Sequence, residues 1–454
     1  MSSLFSFDEE KLSKDLNDTI IEDELDSDEL DAKPYDGNTL KVHSESSFPR
    51  SIPRRRSSVY RRLSIKSATS LTSQDLTIPA NYEFSDEGNP ELNVSSSKKV
   101  LSDFTPIKVL GKGAYGKVHL VQDKHSNKLF AQKQLRKPTI NIHEEQVDTH
   151  TKHVRRTISE RTILTNITHH PNIVKLFYAL QDSDKFYLIL EYIPGGELFH
   201  HLTSNNSLGN VFKEDDVAFY AAQMALGLKH LHELGIVYRD LKPENCLLNS
   251  AGHLVLTDFG LSKSIGENSQ DSCTSIIGTP EYMAPEILKG DQYDYLVDWW
   301  SLGCVIYDMM TGKPPFTGNS HKLIQDKIIK NKLKMPFYFS MDAKDLLNKL
   351  LNKNPVKRFP VDEKWPLFEN HRFFRKLNWK SLKAQDDSCN PPIIPVITDP
   401  ILAENFSEEF TSMAISDFSG DQGITIPQDS NYNRNDLFKG FSYTASNSYI
   451  DRFC

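Results

Sequence analysis

Val237-Tyr238-Arg239-Asp240-Leu241-Lys242-Pro243-Glu244-Asn245 is the stretch on which the fold turns, because Asp258-Phe259-Gly260 and then Ala284-Pro285-Glu286 follow it. Each short run alone recurs by chance. All three, in this order, behind a glycine-rich loop and a strand ending in Ala131-Gln132-Lys133, leave little room for coincidence. Upstream, FTPIKVLGKGAYGKVHLVQDKHSNKLFAQKQL (104–135) alternates apolar and β-branched residues in short runs broken by the turn-like HSN, the pattern of an antiparallel meander. It contains Gly111-x-Gly113-x-x-Gly116-x-Val118. That spacing is weak evidence by itself, and in a dinucleotide-binding domain the glycines would open a helix. Here the strand KVHLV follows, so the segment reads as a hairpin lid whose missing side chains let backbone amides approach phosphates. A plain tight turn is the bland alternative.

The chain of 454 residues exceeds what one hydrophobic core usually serves, which predicts two lobes with additions. A net charge of -8 argues against a protein that coats nucleic acid by bulk electrostatics. Five scattered cysteines with no C-x-x-C pair fit reduced thiols and an intracellular, cytoplasmic address. The N-terminus carries early acids where a signal peptide has an apolar run, and FYLILEYI is too short to cross a bilayer and holds Glu191, so a soluble chain is expected. Residues 1–100 read as a disordered extension, acidic to about Asp36 and basic over PRSIPRRRSSVYRRLSIK (49–66). There Ser57, Ser58 and Ser64 each follow an arginine by three residues, as targets of a basophilic kinase do; nuclear import or an anionic-lipid patch is the alternative for this block.

The ordered runs resemble the catalytic loop, metal loop and activation-segment end of protein kinases, continuously over Phe104 to Phe374. The resemblance implies an α+β bilobal fold: a small β-rich lobe with one main helix, a larger helical lobe, and ATP with Mg2+ in the cleft. It implies that Gly111, Gly113 and Gly116 cover the phosphates, that Lys133 holds them, and that Glu160, in TISERTIL on a predicted helix, orients Lys133 through an ion pair. A single buried pair is costly, so its full formation is expected only in the active state. By the same resemblance Asp258 and Asn245 bind magnesium, Asp240 receives or orients the substrate hydroxyl, and Lys242 with Thr279 marks serine or threonine as the acceptor. Adenine is expected against Leu110, Val118, Ala131 and Leu247, with backbone bonds from Glu191 and Ile193; ordinary core is the other reading of these apolar positions. Asp298-Trp-Trp-Ser-Leu-Gly303 resembles the buried helix behind the catalytic loop, and Arg358 the partner of Glu286.

YRD in the catalytic loop, GTPEYMAPE, and a tail with PPIIPVITDP, NFSEEFTS and FKGFSY resemble the AGC group, nearest its ribosomal protein S6 kinase and protein kinase B-like branch and its fungal members. A kinase domain at 104–374 and an AGC-type C-terminal domain at 375–454 follow. The resemblance places substrate-reading carboxylates at Glu197, Glu244 and Asp308, which implies basic residues before the acceptor. It places phosphosites at Ser275, with Thr274 as runner-up and Arg239 as phosphate partner, and at Ser442 in the hydrophobic motif Phe438–Tyr443. No turn-motif site stands out among Ser416, Ser419 and Thr425. Upstream kinases of the phosphoinositide-dependent type and the TOR complex are the implied partners, LFSFDEE being a faint TOR-contact motif, and the enzyme is expected to be a monomer without nucleic-acid partners.

Three aromatics in FKGFSY need a pocket. Val154, Thr157 and Arg161 share a helical face beside Glu160, and that face is expected to receive the phenylalanine pair, with Arg155, Arg156 or a nearby lysine reaching a phosphate on Ser442. The segment between Lys133 and Glu160 is longer than usual for the group; its irregularly spaced histidines read as a solvated loop rather than a metal site. A pseudokinase or scaffold is the competing class, opposed by the complete catalytic set. A non-kinase nucleotide enzyme is opposed by the absence of a G-x-x-x-x-G-K-[ST] run.

Overall fold

The computed structural model describes residues 99–113, 116–137, 156–167, 169–204, 211–265, 273–386, 388–415, 438 and 440–453. The N-terminal extension with Ser57, Ser58 and Ser64, the histidine-bearing segment with Val154 and Arg155, and Ser416, Ser419 and Thr425 lie outside them.

Strands β1 (Phe104–Lys112), β2 (Gly116–Asp123) and β3 (Leu129–Arg136) form the expected meander, and β4 (Leu176–Gln181) and β5 (Lys185–Glu191) extend it into a sheet ordered β1-β2-β3-β5-β4. Period two decides the faces: Leu120, opposite Ala131, joins Leu110 on one side, while Val121, opposite Phe130, joins Phe104, Phe177 and Tyr178 on the other. The outer edge of β4 does not stay open. Strand β10 (Tyr443–Thr444), from the C-terminal tail, pairs with it antiparallel, Tyr443 opposite Ala179. Helix α1, over 156–166, sends Ile163 and Leu164 into the main core.

The second lobe is helical, built around α2 (Leu198–Ser204), α3 (Glu214–Glu233), α4 (Leu296–Thr311), α5 (His321–Lys330) and α6 (Met341–Leu350). Residues Val297–Met310 of α4 are buried all round, as their nearly continuous apolar run requires, and Gly312 ends the helix at φ +74°. Between α2 and α4 come the short strands β6 (Ile236–Val237), β7 (Cys246–Leu248), β8 (Leu254–Leu256) and β9 (Lys263–Ser264). Pairing of β7 with β8 and of β6 with β9 holds the polar loops between them in fixed places. Arg358 grips Glu286 with two parallel bonds of 2.5 and 2.9 Å, as expected, and also donates to the Leu296 and Asn352 carbonyls. Both side chains are buried, so removing either leaves an uncompensated charge, a loss of about 3–5 kcal/mol.

The tail lies across the linker between the lobes. Asn405 donates to the Pro194 carbonyl, Tyr192 to Pro400, and Lys108 to Leu402. Glycines permit this approach: a Cβ at Gly196, where φ is +68°, would lie 2.1 Å from the Asn405 carbonyl oxygen, and one at Gly252 would lie 2.0 Å from that of Ile393.

Candidate active site

Strand β3 carries Lys133 to the cleft and α1 brings Glu160 to meet it. The Lys133 ammonium lies 2.5 Å from Glu160 Oε1 and 2.9 Å from Asp258 Oδ1. Burial opposes the charge on Lys133, yet Asp258 and Glu160 together raise its pKa above the ordinary lysine value. The ion pair is therefore formed here, and it joins the sheet, α1 and the metal-loop run at one point.

Asp240 is almost fully buried and held from three sides. Lys242 Nζ donates to its Oδ2 at 2.9 Å, and Asn245 Nδ2 to its main-chain oxygen at 2.8 Å and to Oδ2 at 3.1 Å. Thr279 Oγ1 stands 3.2 Å from Lys242 Nζ and 3.4 Å from Asp240 Oδ1, which brings the expected lysine–threonine pair together. Behind this loop, Asp298 on α4 accepts from the backbone amides of Tyr238 and Arg239, both at 2.8 Å, and from His232. Arg239 and Asp258 have φ of +65° and +58°, strained values that the fixed surroundings impose. His232 also meets Asp362; burial disfavours its charge, but the two carboxylates lift its pKa to about 9. Neither His232 nor Asp362 belongs to a recognisable run, so no sequence motif marks them.

The three glycines differ. A Cβ at Gly111 would meet nothing within 4 Å, as a cover for phosphates requires, whereas at Gly116 it would sit 1.8 Å from the Gln134 carbonyl oxygen. Gly116 thus serves the β2–β3 pairing first, and Gly113 closes the hairpin through its amide bond to the Gly116 carbonyl. Val118 and Ala131 pack beside Leu110 and Leu120 on the cleft face, and Leu247 comes from β7 below. The Glu191 amide donates back to the Lys175 carbonyl, and Ile193 is buried at the linker. Tail residue Phe406 joins the cluster of Leu110 and stacks on Tyr192, closing the cleft from a direction not foreseen in the sequence. Its signal was the single aromatic in NFSEE.

For a divalent cation the donors fit. Asn245 spends its amide hydrogens on Asp240, which turns its carbonyl oxygen away, and with the Asp258 carboxylate this gives the hard oxygen set magnesium prefers.

Among the substrate carboxylates, Glu197 and Glu244 come together. Desolvation first, then repulsion from Glu244, raises the Glu197 pKa to about 7 against the opposing pull of Lys242. Asp308 departs from the expectation of an open substrate-reading carboxylate: it is fully buried, and one of its oxygens, Oδ2, accepts from the Tyr282 hydroxyl at 2.5 Å. On the activation segment Ser275 is exposed, and Tyr293 bridges it to Arg239: the tyrosine hydroxyl donates to the Ser275 carbonyl at 2.8 Å and accepts from Arg239 at 3.2 Å.

The hydrophobic motif is docked on the small lobe. Phe441, only 2% exposed, packs 4.4 Å from the Phe186 ring, and Phe438 meets the same ring edge-on. Arg161 Nε donates to the Phe441 carbonyl at 3.1 Å and Nη2 to that of Ser442 at 3.3 Å. Thr157 and Arg161 are buried on α1 as expected. The floor, however, is Phe186 of β5, with Lys137 over both rings, residues that the helical spacing did not reveal.

The protein kinase domain family matches residues 104–373 and the protein kinase C terminal domain family residues 397–443. The chain is 43% identical to "Serine/threonine-protein kinase YPK3" of Saccharomyces cerevisiae over 92% of this chain and 91% of that one. It is 40% identical to Sgk1 of Danio rerio over 77% and 78%, and 40% identical to "Ribosomal protein S6 kinase 2 alpha" of Xenopus laevis over 77% of this chain and 45% of that one. One family match spans both lobes and the other the tail that joins them, and together they place this chain among the serine/threonine protein kinases of the AGC group.

Proposed function

We propose that this kinase transfers the ATP γ-phosphate to serine or threonine preceded by basic residues, and that phosphorylation of Ser275 and Ser442 by upstream kinases controls it. The observation that carries the substrate class is the Glu197–Glu244 pair: burial first and the neighbouring Glu244 second raise the Glu197 pKa to about 7, so a substrate cation bound there favours its ionised form. In this reading Asp240 accepts the hydrogen of the substrate hydroxyl while Lys242 and Thr279 hold its carboxylate in register, and Lys133 fixes the nucleotide phosphates. Magnesium, when bound at Asp258 and Asn245, neutralises charge on the phosphate oxygens. A ribosomal protein S6 kinase-like role is suggested by the likeness to a kinase of that name, and control by a TOR complex is part of the same proposal.

A peptide library tests the substrate class, and equal use of acidic and basic upstream residues contradicts it. The pH dependence is signed. A group near pH 7 is ionised above and neutral below, so KM for a basic peptide rises about three- to tenfold as pH falls from 8 to 6, and Glu197→Gln flattens that rise. For the switch, Ser275→Ala is expected to lower activity on the order of tenfold, because a phosphate there adds charge to a residue that Tyr293 links to Arg239 through its backbone. Full activity of Ser275→Ala, measured beside phosphatase-treated protein, removes this site.

A further inference from the structure

The residues after Thr444 do not leave the small lobe. Ala445 donates to the Phe177 carbonyl at 2.9 Å, and Ser446 starts helix α7 (Asn447–Phe453), accepting from the Tyr449 amide through Oγ and from Ile450 through its carbonyl. Tyr449, Ile450 and Phe453, at helical spacing, pack on the apolar face that holds Phe104, Phe177 and Tyr178, the face turned away from the nucleotide cleft. Tyr449 lies 6.0 Å from the Phe177 ring and 4.9 Å from Phe453.

Phe453 reaches further than this face. Its ring stacks on His169 at 4.0 Å, and the Lys175 ammonium lies 5.3 Å from its centroid. Lys175 is bound twice to Glu191: Nζ meets Oε2 at 2.6 Å, and its carbonyl accepts the Glu191 amide at 2.9 Å. His170, next in the chain after His169, stacks on His230 of α3 in the helical lobe. Phe453 therefore covers, from behind, the short segment that ties β5 and the linker to both lobes. A cation over an aromatic face in a partly dry setting is held more firmly than one in water.

We propose that α7 is a brace on the back of the linker, and that Phe453 is a positioning residue that sets nucleotide affinity by steadying Lys175 and hence Glu191. The proposal rests on the reading that Glu191 offers its backbone to adenine. It separates α7 from the hydrophobic motif before it, whose contacts run to Arg161 and α1 rather than to Lys175.

The test uses the full chain and steady-state kinetics with ATP and a basic peptide varied in turn. Phe453→Ala raises KM for ATP about three- to tenfold with kcat and the peptide KM within twofold of the parent; Phe453→Tyr, which keeps the ring, restores it; Phe453→Leu falls between. Lys175→Met raises the same KM, and adding Phe453→Ala to it changes little further. An ATP KM within twofold in Phe453→Ala overturns the brace. If Lys175→Met still raises KM in that case, the adenine reading of Glu191 stands and only the brace falls; if both are silent, both fall. A loss of kcat without a change in KM also overturns it, because α7 then serves only to seat the motif.

Discussion

Asp240→Asn lowers kcat by on the order of 10³-fold or more, with the thermal unfolding midpoint close to that of the parent. The substitution keeps the volume and leaves an oxygen for Lys242, so the loop held by Asp298 has no reason to move. In the proposed mechanism what disappears is the acceptor for the hydroxyl hydrogen, at a position that is almost fully buried. Lys133→Met has a comparable effect by another route, since it removes the ammonium between Glu160 and Asp258 and with it one link between α1 and the sheet. Asp258→Ala removes the carboxylate expected to hold magnesium. The measurement is magnesium-dependent phosphate transfer to a basic peptide, beside a melting curve for each variant. Transfer that persists in all three folded variants sinks the assignment of roles.

Residues whose chemistry tolerates few substitutes were legible in the sequence. Lys133, Glu160, Asp240, Lys242, Asn245 and Asp258 come from four separate segments, and each lies where its run of neighbours implied. Arg161 and Thr157 were legible for a different reason: a helix fixes which side chains share a face, and that geometry needs no partner to be known. Asp308 was not legible, because a short carboxylate at the end of a buried helix suits a tyrosine hydroxyl as well as a substrate cation, and only the position of Tyr282 distinguishes them. Phe186 sits in KFYLILE, where it opens a run of four buried residues that includes a second aromatic ring, so nothing in the string marks one ring as a pocket floor. Gly196 and Gly252 accommodate carbonyls more than a hundred residues away in sequence, a closeness that no local pattern encodes. The same holds for α7, too short to show a repeating apolar period.

Phe441→Ala is expected to lower activity about tenfold or more with every active-site residue intact. Truncating a ring this buried costs about 3–5 kcal/mol of packing, and here the cost falls on the docking of a tail rather than on a core that has no alternative. The undocked state withdraws two carbonyl acceptors from Arg161 and one edge strand from β4. Arg161 directly follows Glu160, so freeing it loosens the turn of α1 that delivers Glu160 to Lys133. Ser442→Ala is milder, near two- to fivefold, since the serine side chain is exposed and the contact to Arg161 comes from its backbone, which alanine keeps. Phosphate on Ser442 adds charge beside the basic start of α1, where Arg156 stands, and is expected to favour the docked tail by charge-assisted bonds. A phosphorylated FKGFSY peptide should accordingly restore part of the activity of Phe441→Ala, whose vacated pocket keeps Phe186 and Lys137. Kinetics of the two variants with and without the peptide decide the matter. Undiminished activity in Phe441→Ala, with no response to peptide, would mean that the docked motif holds the tail in place and has no bearing on catalysis.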